Sequence, residues 1–469
     1  MTGLEQDLAE RTLGFCGGDA QVNVTRERSL ASRFARSVPT QATAVDDTTV
    51  EVLCLVDGQP GTASTNRLDA DGLREVATRA RRIATASARA GRGDHPDLLR
   101  PADLPAGPET PTPDLGGGGD PGGGHDATTA ELDPASAGRA LGEAFAVAGR
   151  HASEAFGLWS AGEVTTAIVS SAGMRAAESV TDGHMKVICR SATGRSGYAA
   201  TTSVRSGDLD GAELAERAAG RLGVDRPDEL PPGEYEVVLD HEAVGTLLEF
   251  LGWLAFNGLA HAERRGALSD RLGREVAAPM INLTDAPRFG RGLPRSFDAE
   301  AVPKESLVLI ENGVARSVVH DSRSAALAGG SARTTGHALA PGGDPDGPAP
   351  TNLLLAGGLA DSVDGLVGSV ARGVYVTRLW YVNPVDPRHA LVTGVTRDGT
   401  FLIEDGRITR PLRDVRFTDS VLRILAETAD LTRGRRLVSD AEHYGRRFAH
   451  GVVCPALRAT GFRVTGSTT

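Results

Sequence analysis

The sequence predicts an α+β fold: N-terminal α/β units followed by a β-rich C-terminal domain. Three observations carry this reading. Short strand-like stretches alternate with helical segments as far as residue 230. A Gly- and Pro-dense tract interrupts them. Beyond residue 231, many short strand-like runs are separated by Gly turns, with few helices among them.

The chain divides accordingly into four parts: an N-terminal α/β domain (1–90), a linker or insertion (91–126), a middle α/β domain (127–230) and a β-rich C-terminal domain (231–469). In the first, residues 20–56 alternate in short strand-like stretches, and Asp57-Gly58 supplies a turn between strands. A helix follows over 68–90, capped by Asp69 or Asp71, with Leu73, Val76, Ala77, Ala80 and Ile83 at helical spacing. Residues 91–126 hold few groups able to form a core and read as a flexible linker. The run GGGGDPGGG lacks the preceding strand and following helix that a phosphate-cradling loop requires. The middle unit opens with a helix at 136–155, continues as an antiparallel meander, and closes with a helix at DLDGAELAERAAGRLG. Both units run strands and then helix, without an exact repeat. In the last part, a strand at Glu236–Leu239 runs directly into an apolar helix from about His241. FTDSVLRILAETADLT is a further amphipathic helix, with Thr418 or Asp419 as its cap.

Composition narrows the function classes. The net charge is -11, which repels phosphate backbones and anionic membranes, and aromatic residues make up only 4%, too few for base-stacking surfaces. Neither nucleic acid nor membrane is an expected partner. Lys occurs only at 186 and 304, every other basic residue being Arg, which points to a GC-rich source genome such as an actinomycete's. The four cysteines, Cys16, Cys54, Cys189 and Cys454, show no paired spacing, so neither a disulfide framework nor a zinc ribbon is indicated. The first residues are acidic and lack the apolar segment of a signal peptide, and no run is long enough to span a bilayer. A cytoplasmic protein is expected.

The most suggestive local feature is His241-Glu242 at a strand-to-helix junction. Zinc peptidases place two imidazoles on one helical face and add a carboxylate that takes the proton of zinc-bound water. The common spacing is H-E-x-x-H, but position 245 is Gly. His261 lies downstream without a partner at ligand spacing. The alternative for the pair is plain: Glu242 complements the helix dipole, and His241 caps or packs.

Several separated stretches carry a resemblance to one family. They are SLASRFARSVPTQ (29–41), RSFDAEAVPKESLVLIENGVARSVVHDSRSAALAG (295–329), TTGHA (334–338) and PTNLLLAGG (350–358). In that order they resemble the TldD/PmbA family, the modulator-of-gyrase or microcin-maturing proteases, over nearly the whole chain apart from the Gly/Pro tract. The family's catalytic TldD subunit has H-E-x-x-x-H in a helix and a C-terminal Cys as third zinc ligand. Here the stretch reads His241-Glu242-Ala243-Val244-Gly245-Thr246, with Thr in place of the second His. Cys454 adjoins Pro455 instead of preceding it by three residues; aligning the prolines puts Val452 at the ligand position. Cys454 is then either a buried structural thiol or a ligand after a register change.

The resemblance thus implies a TldE/PmbA-type subunit without a zinc motif: no cofactor on this chain, and zinc on a TldD-type partner with which it forms a heterodimer around an enclosed cavity. It further implies cleavage of small, unfolded or modified peptides. Candidates for presenting substrate are His337, Arg378, Trp380, Tyr381 and Asn383, whose aromatics serve equally as core. Catalytic candidates are His241 and Glu242, and metal ligands, if any, are His241, His261 and Cys454. Two other readings stay open: an enzyme in its own right acting on a peptide-like intermediate of specialised metabolism, and a binding or regulatory protein without turnover.

Overall fold

The computed structural model describes residues 3–104, 124–223, 226–439 and 446–467. Most of the Gly/Pro-rich tract, residues 105–123, therefore lies outside the described residues.

Helix α1 (Gly3–Cys16) leads into β1 (Ala20–Ala35), β2 (Val38–Val56) and β3 (Gln59–Thr65), followed by helix α2 (Ala70–Ala88). The β2–β3 turn uses Asp57 and Gly58, both at positive φ, as their types predict. The β1–β2 turn was harder to read. It rests on Arg36 and Ser37 at φ 51° and 58°, a conformation that usually calls for Gly or Asn. Ser37 is held there from outside, its N–H donating to Ala155 O (2.9 Å) and its Oγ accepting from Ala155 N–H (3.0 Å). Two long strands result where the pattern suggested several short ones. Asp69 caps α2 through the N–H of Gly72 (2.7 Å). Leu73, Val76, Ala77 and Ala80 are buried as expected, but Ile83 is 41% exposed and Ala84 takes its place inside.

After α3 (Ala127–Ala130) and α4 (Pro134–Arg150) come β4 (Ser153–Ser170), β5 (Arg175–Ser191), β6 (Ser196–Ser203) and helix α5 (Gly211–Ala219). The six strands form one antiparallel sheet in the order β3-β2-β1-β4-β5-β6. The segments 1–90 and 127–230 thus contribute three strands each to a shared sheet, joined where β1 pairs with β4. A change in composition marks the chain between them, not a break in the sheet.

The C-terminal part contains β7 (Gly233–Leu239), α6 (His241–Ala255), β8 (Leu283–Asp285), β9 (Leu307–Glu311), β10 (Val314–Ala315), β11 (Asn352–Leu355), β12 (Arg372–Asp386), β13 (Leu391–Glu404), β14 (Arg407–Pro411), β15 (Val415–Ser420), β16 (Thr428–Val438) and β17 (Gly451–Ser467). All the strands belong to one large sheet. Part of it closes: β7 pairs with β12, β12 with β13, β13 with β15, β15 with β17, and β17 again with β7. Val237, Val376, Phe417, Leu457 and Phe462 from this ring share a core with Val244, Leu248 and Leu251 of α6. Each such burial contributes about 1.5–3 kcal/mol. The predicted helix at 417–432 is shorter, Val421–Ala426, and Ser420 caps it through Arg423 N–H (3.3 Å). Thr418 and Asp419 instead end β15, where buried Asp419 pairs with Arg423. Among the described residues no helix is long and apolar enough to cross a membrane.

The two sheets are tied by buried polar contacts. Gln21 and Asn23 of β1 donate to Ala299 O (2.7 and 2.8 Å), and Arg447 pairs with Asp182.

Candidate functional site

Strand β7 delivers the chain into α6 through Asp240, whose Oδ1 accepts the N–H of His241 (2.8 Å) and faces its Nδ1 (2.8 Å). The other carboxylate oxygen accepts from Tyr375 Oη (2.7 Å) and pairs with Arg221. Burial pulls the Asp240 carboxyl upward, but the bond to His241 and the charge of Arg221 outweigh it and hold the group well below the usual carboxylate range. His241 is buried, and its Nε2 lies 3.4 Å from Gly434 O.

The helix has two faces. Val244, Leu247, Leu248 and Leu251 face the core. Glu242, Thr246, Glu249, Phe250 and Trp253, at steps of three and four, line a cavity of about 520 Å³. Its opposite wall is Arg378, Leu379, Trp380, Tyr381 and Val382 of β12, and Lys186 and Tyr198 of the first sheet complete it. The Arg378 guanidinium lies between two rings, 4.1 Å from the centre of Tyr198 and 4.9 Å from that of Trp380, and pairs with Asp398 (3.3 Å). Tyr381 sits at φ 52° in a bulge between Trp380 and Asn383, and 77% of it is exposed. Such a bulge re-aims side chains. The Glu242 carboxyl is raised by burial, with the neighbouring Asp240 adding to it and Arg217 opposing.

The structure therefore brings Glu242, Arg378, Trp380 and Tyr381 together. Asn383 is exposed beyond the bulge, its Nδ2 donating to Tyr381 O (2.9 Å), and supports the turn instead of lining the cavity. His337 is elsewhere. It is buried with Nε2 on Asp285 Oδ2 (2.9 Å) and Nδ1 on Thr335 Oγ1 (2.9 Å). Lys304 Nζ lies 3.7 Å from the same carboxylate and donates to Gly336 O (2.9 Å). Burial pushes His337 below its ordinary value, while Lys304 and His337 together hold Asp285 low against burial. The TTGHA loop is thereby clamped to β8.

The donor set around α6 does not fit zinc. Thr246 Oγ1 donates back to Glu242 O (3.0 Å), and Cys454 Sγ lies 3.4 Å from His241 O. Burial, reinforced by Glu242 and Asp240, raises the Cys454 thiol well above its usual value. His261 is outside the cavity, its Nδ1 sealed without a hydrogen-bond partner among the described residues. Among the described residues, no group of three His, Cys, Asp or Glu is placed to hold a metal.

Sequence reasoning missed Lys186, Tyr198, Glu249, Phe250 and Trp253. The last three were legible as the stripe that continues Glu242 and Thr246 along α6. Lys186 and Tyr198 were not, because tertiary folding brings them from another sheet.

Comparison with known proteins follows the same lines. A family model for the PmbA/TldA metallopeptidase C-terminal domain matches residues 232–466, and one for domain 1 matches residues 20–84. The chain is 29% identical over 216 residues to a metalloprotease of Methanothermobacter thermautotrophicus, covering 46% of each. It is 26% identical over 241 residues to the metalloprotease TldD homolog of Haemophilus influenzae, covering 49% of this chain and 46% of that one. It thus spans about half the length of the curated relatives it matches. The crystal structure of TldE from Thermococcus kodakarensis superposes with a TM-score of 0.82 at 17% identity, covering 98% of this chain and 99% of that one, a likeness of fold.

Proposed function

This chain belongs to the PmbA/TldD metallopeptidase family, and we propose that within it the chain is a TldE-type subunit without zinc of its own. A TldD-type partner supplies the zinc, its hydroxide and the general-base carboxylate. This chain closes the peptide chamber and binds small, unfolded or modified peptides along the α6–β12 cavity. The observation that carries the reading is Thr246. It stands where the TldD motif has its second His, and its hydroxyl is turned back onto the helix backbone. Aromatic walls at Phe250, Trp253 and Trp380 exclude water and take apolar side chains, and Arg378, steadied by Tyr198 and Asp398, offers a fixed cation to a carboxylate or carbonyl. A cytoplasmic setting accords with four free, buried cysteines.

Zinc content per chain tests the reading, measured on protein purified alone and again with a TldD-type partner. Zinc is expected only in the complex. Stoichiometric zinc on the lone chain, or chelator-sensitive peptide hydrolysis by it, would overturn the proposal and favour an enzyme in its own right.

A further inference from the structure

The loop at 297–304 carries one of the contacts between the two sheets, and it holds two buried acids, Asp298 and Glu300. Ala299 sits between them. Its O accepts Gln21 Nε2 and Asn23 Nδ2 of β1 (2.7 and 2.8 Å), and its N–H donates to Ala338 O (3.0 Å). Ala301 stands at φ 63°, a conformation that strains any residue with a side chain. Polar contacts must therefore hold this loop in place.

The two acids are held differently. Asp298 meets three backbone N–H groups, those of Glu300, Val302 and Ala338 (2.9, 2.9 and 2.8 Å). Burial pushes its carboxyl up, with those donors and the charge of Lys304 opposing. Glu300 meets only Ser322, whose N–H lies 3.0 Å from one of its oxygens and whose Oγ lies 2.5 Å from the other. Among the described residues neither acid forms an ion pair, because Lys304 is given to Asp285 (3.7 Å) and Gly336 O (2.9 Å).

An ionised Glu300 is thus a second buried charge beside Asp298, with no cation to answer it. Burial first, then the charges of Asp298 and Asp321, push its carboxyl up to about 8, with Ser322 opposing. His95 and Asp97 share a small cavity with it. On the Asp298 side the charged or titratable wall groups besides Lys304 are Glu51, Glu178, Arg295, His337, Arg446 and Arg447.

We propose that Glu300 is a proton-dependent latch of the joint between the two sheets. Protonated, it lets the loop seat against β1; ionised, it repels Asp298 and Asp321 and loosens the seat at Ala299. The folded chain binds this proton more tightly than the unfolded chain does. Stability tied to the protonated form is therefore complete below the ordinary carboxylate range and is lost as pH rises through about 8. Ionisation releases one of the holds on the first sheet, which also brings Lys186 and Tyr198 to the α6–β12 cavity. The latch does not depend on how zinc is shared.

Hydrogen–deuterium exchange of the full chain tests this, at about pH 6 and about pH 9 and corrected for the intrinsic rate. Wild-type peptides covering 296–304 and 20–24 are expected to exchange about tenfold faster at the higher pH, while those of β13 keep their protection. Glu300→Gln is neutral at every pH and still accepts from Ser322, so its protection is expected to be the same at both. A Glu300→Gln profile that follows pH as wild type does would overturn the proposal. So would wild-type peptides that do not change, or a loss spread over the whole chain, which reports global unfolding. Should Glu300→Gln fail to fold, the wild-type pair decides: faster exchange confined to those two segments supports the latch.

Discussion

Asp285 with His337 and Asp240 with His241 are both buried acid–imidazole pairs, with contacts of 2.9 and 2.8 Å. Around Asp285 every direction is closed: Lys304, His337 and the Asn352 N–H (2.8 Å) meet its oxygens, and nothing of it reaches solvent. Asp240 is equally well bonded, yet two residues further along the chain Glu242 turns towards a 520 Å³ cavity. The same chemistry serves a clamp in one place and a floor beneath an open cavity in the other. What separates them is the neighbouring helix face, not the residue types.

Breaking the clamp is expected to have the largest effect. Asp285→Ala leaves Lys304 and His337 buried without their anion and should cost about 3–5 kcal/mol in denaturant unfolding. A loss under about 1 kcal/mol would mean that the network is not what holds the TTGHA loop.

The groove should respond in the opposite way. Trp380→Ala removes a half-exposed ring from the cavity and the seat of Arg378. Under the proposed function, peptide affinity of the chain with its TldD-type partner should fall about tenfold or more, while the unfolding free energy changes by about 1 kcal/mol. Equal damage to stability and binding would make Trp380 a core residue and weaken the assignment of the cavity.

A smaller effect follows from Glu242. Its carboxyl is raised in the folded chain, so the folded state holds that proton to higher pH than the unfolded state does. Stability tied to the protonated form is complete below the ordinary carboxylate range and is lost as pH rises through the folded value. Glu242→Gln removes that loss. Its melting midpoint should match wild type near about pH 3.5 and exceed it near about pH 8. A constant difference across that range would count against a desolvated carboxyl.

The smallest expected effect is none at all. Thr246→His restores the second imidazole of the motif, but Cys454 Sγ faces the His241 backbone carbonyl and His241 Nε2 lies against Gly434 O. Zinc by elemental mass spectrometry should remain substoichiometric in the lone variant.

How much of this was legible depends on the distance between cause and effect along the chain. Local signals held: Asp69 capping α2, the Asp57-Gly58 turn, and the passage from strand into helix at Asp240. The Arg36-Ser37 turn was hidden because its support comes from Ala155, far away in sequence. Arg378, Trp380 and Tyr381 could be named from sequence, but not the Tyr198 ring that fixes Arg378. His337 carried the residue type of a binding group, and only its contacts reveal a sealed clamp.

Strand β17 pairs with β11, β15, β16 and β7. Leu457 stands opposite Leu239, so more than two hundred residues are made between β7 and its antiparallel neighbour. During synthesis the apolar face of α6 and the edge of β7 wait for that strand with nothing in its place. Contacts of such long range make folding slow and leave sticky surface in view meanwhile. The C-terminal domain therefore matures only once residues 451–467 have left the ribosome, and chaperone demand should peak just before then.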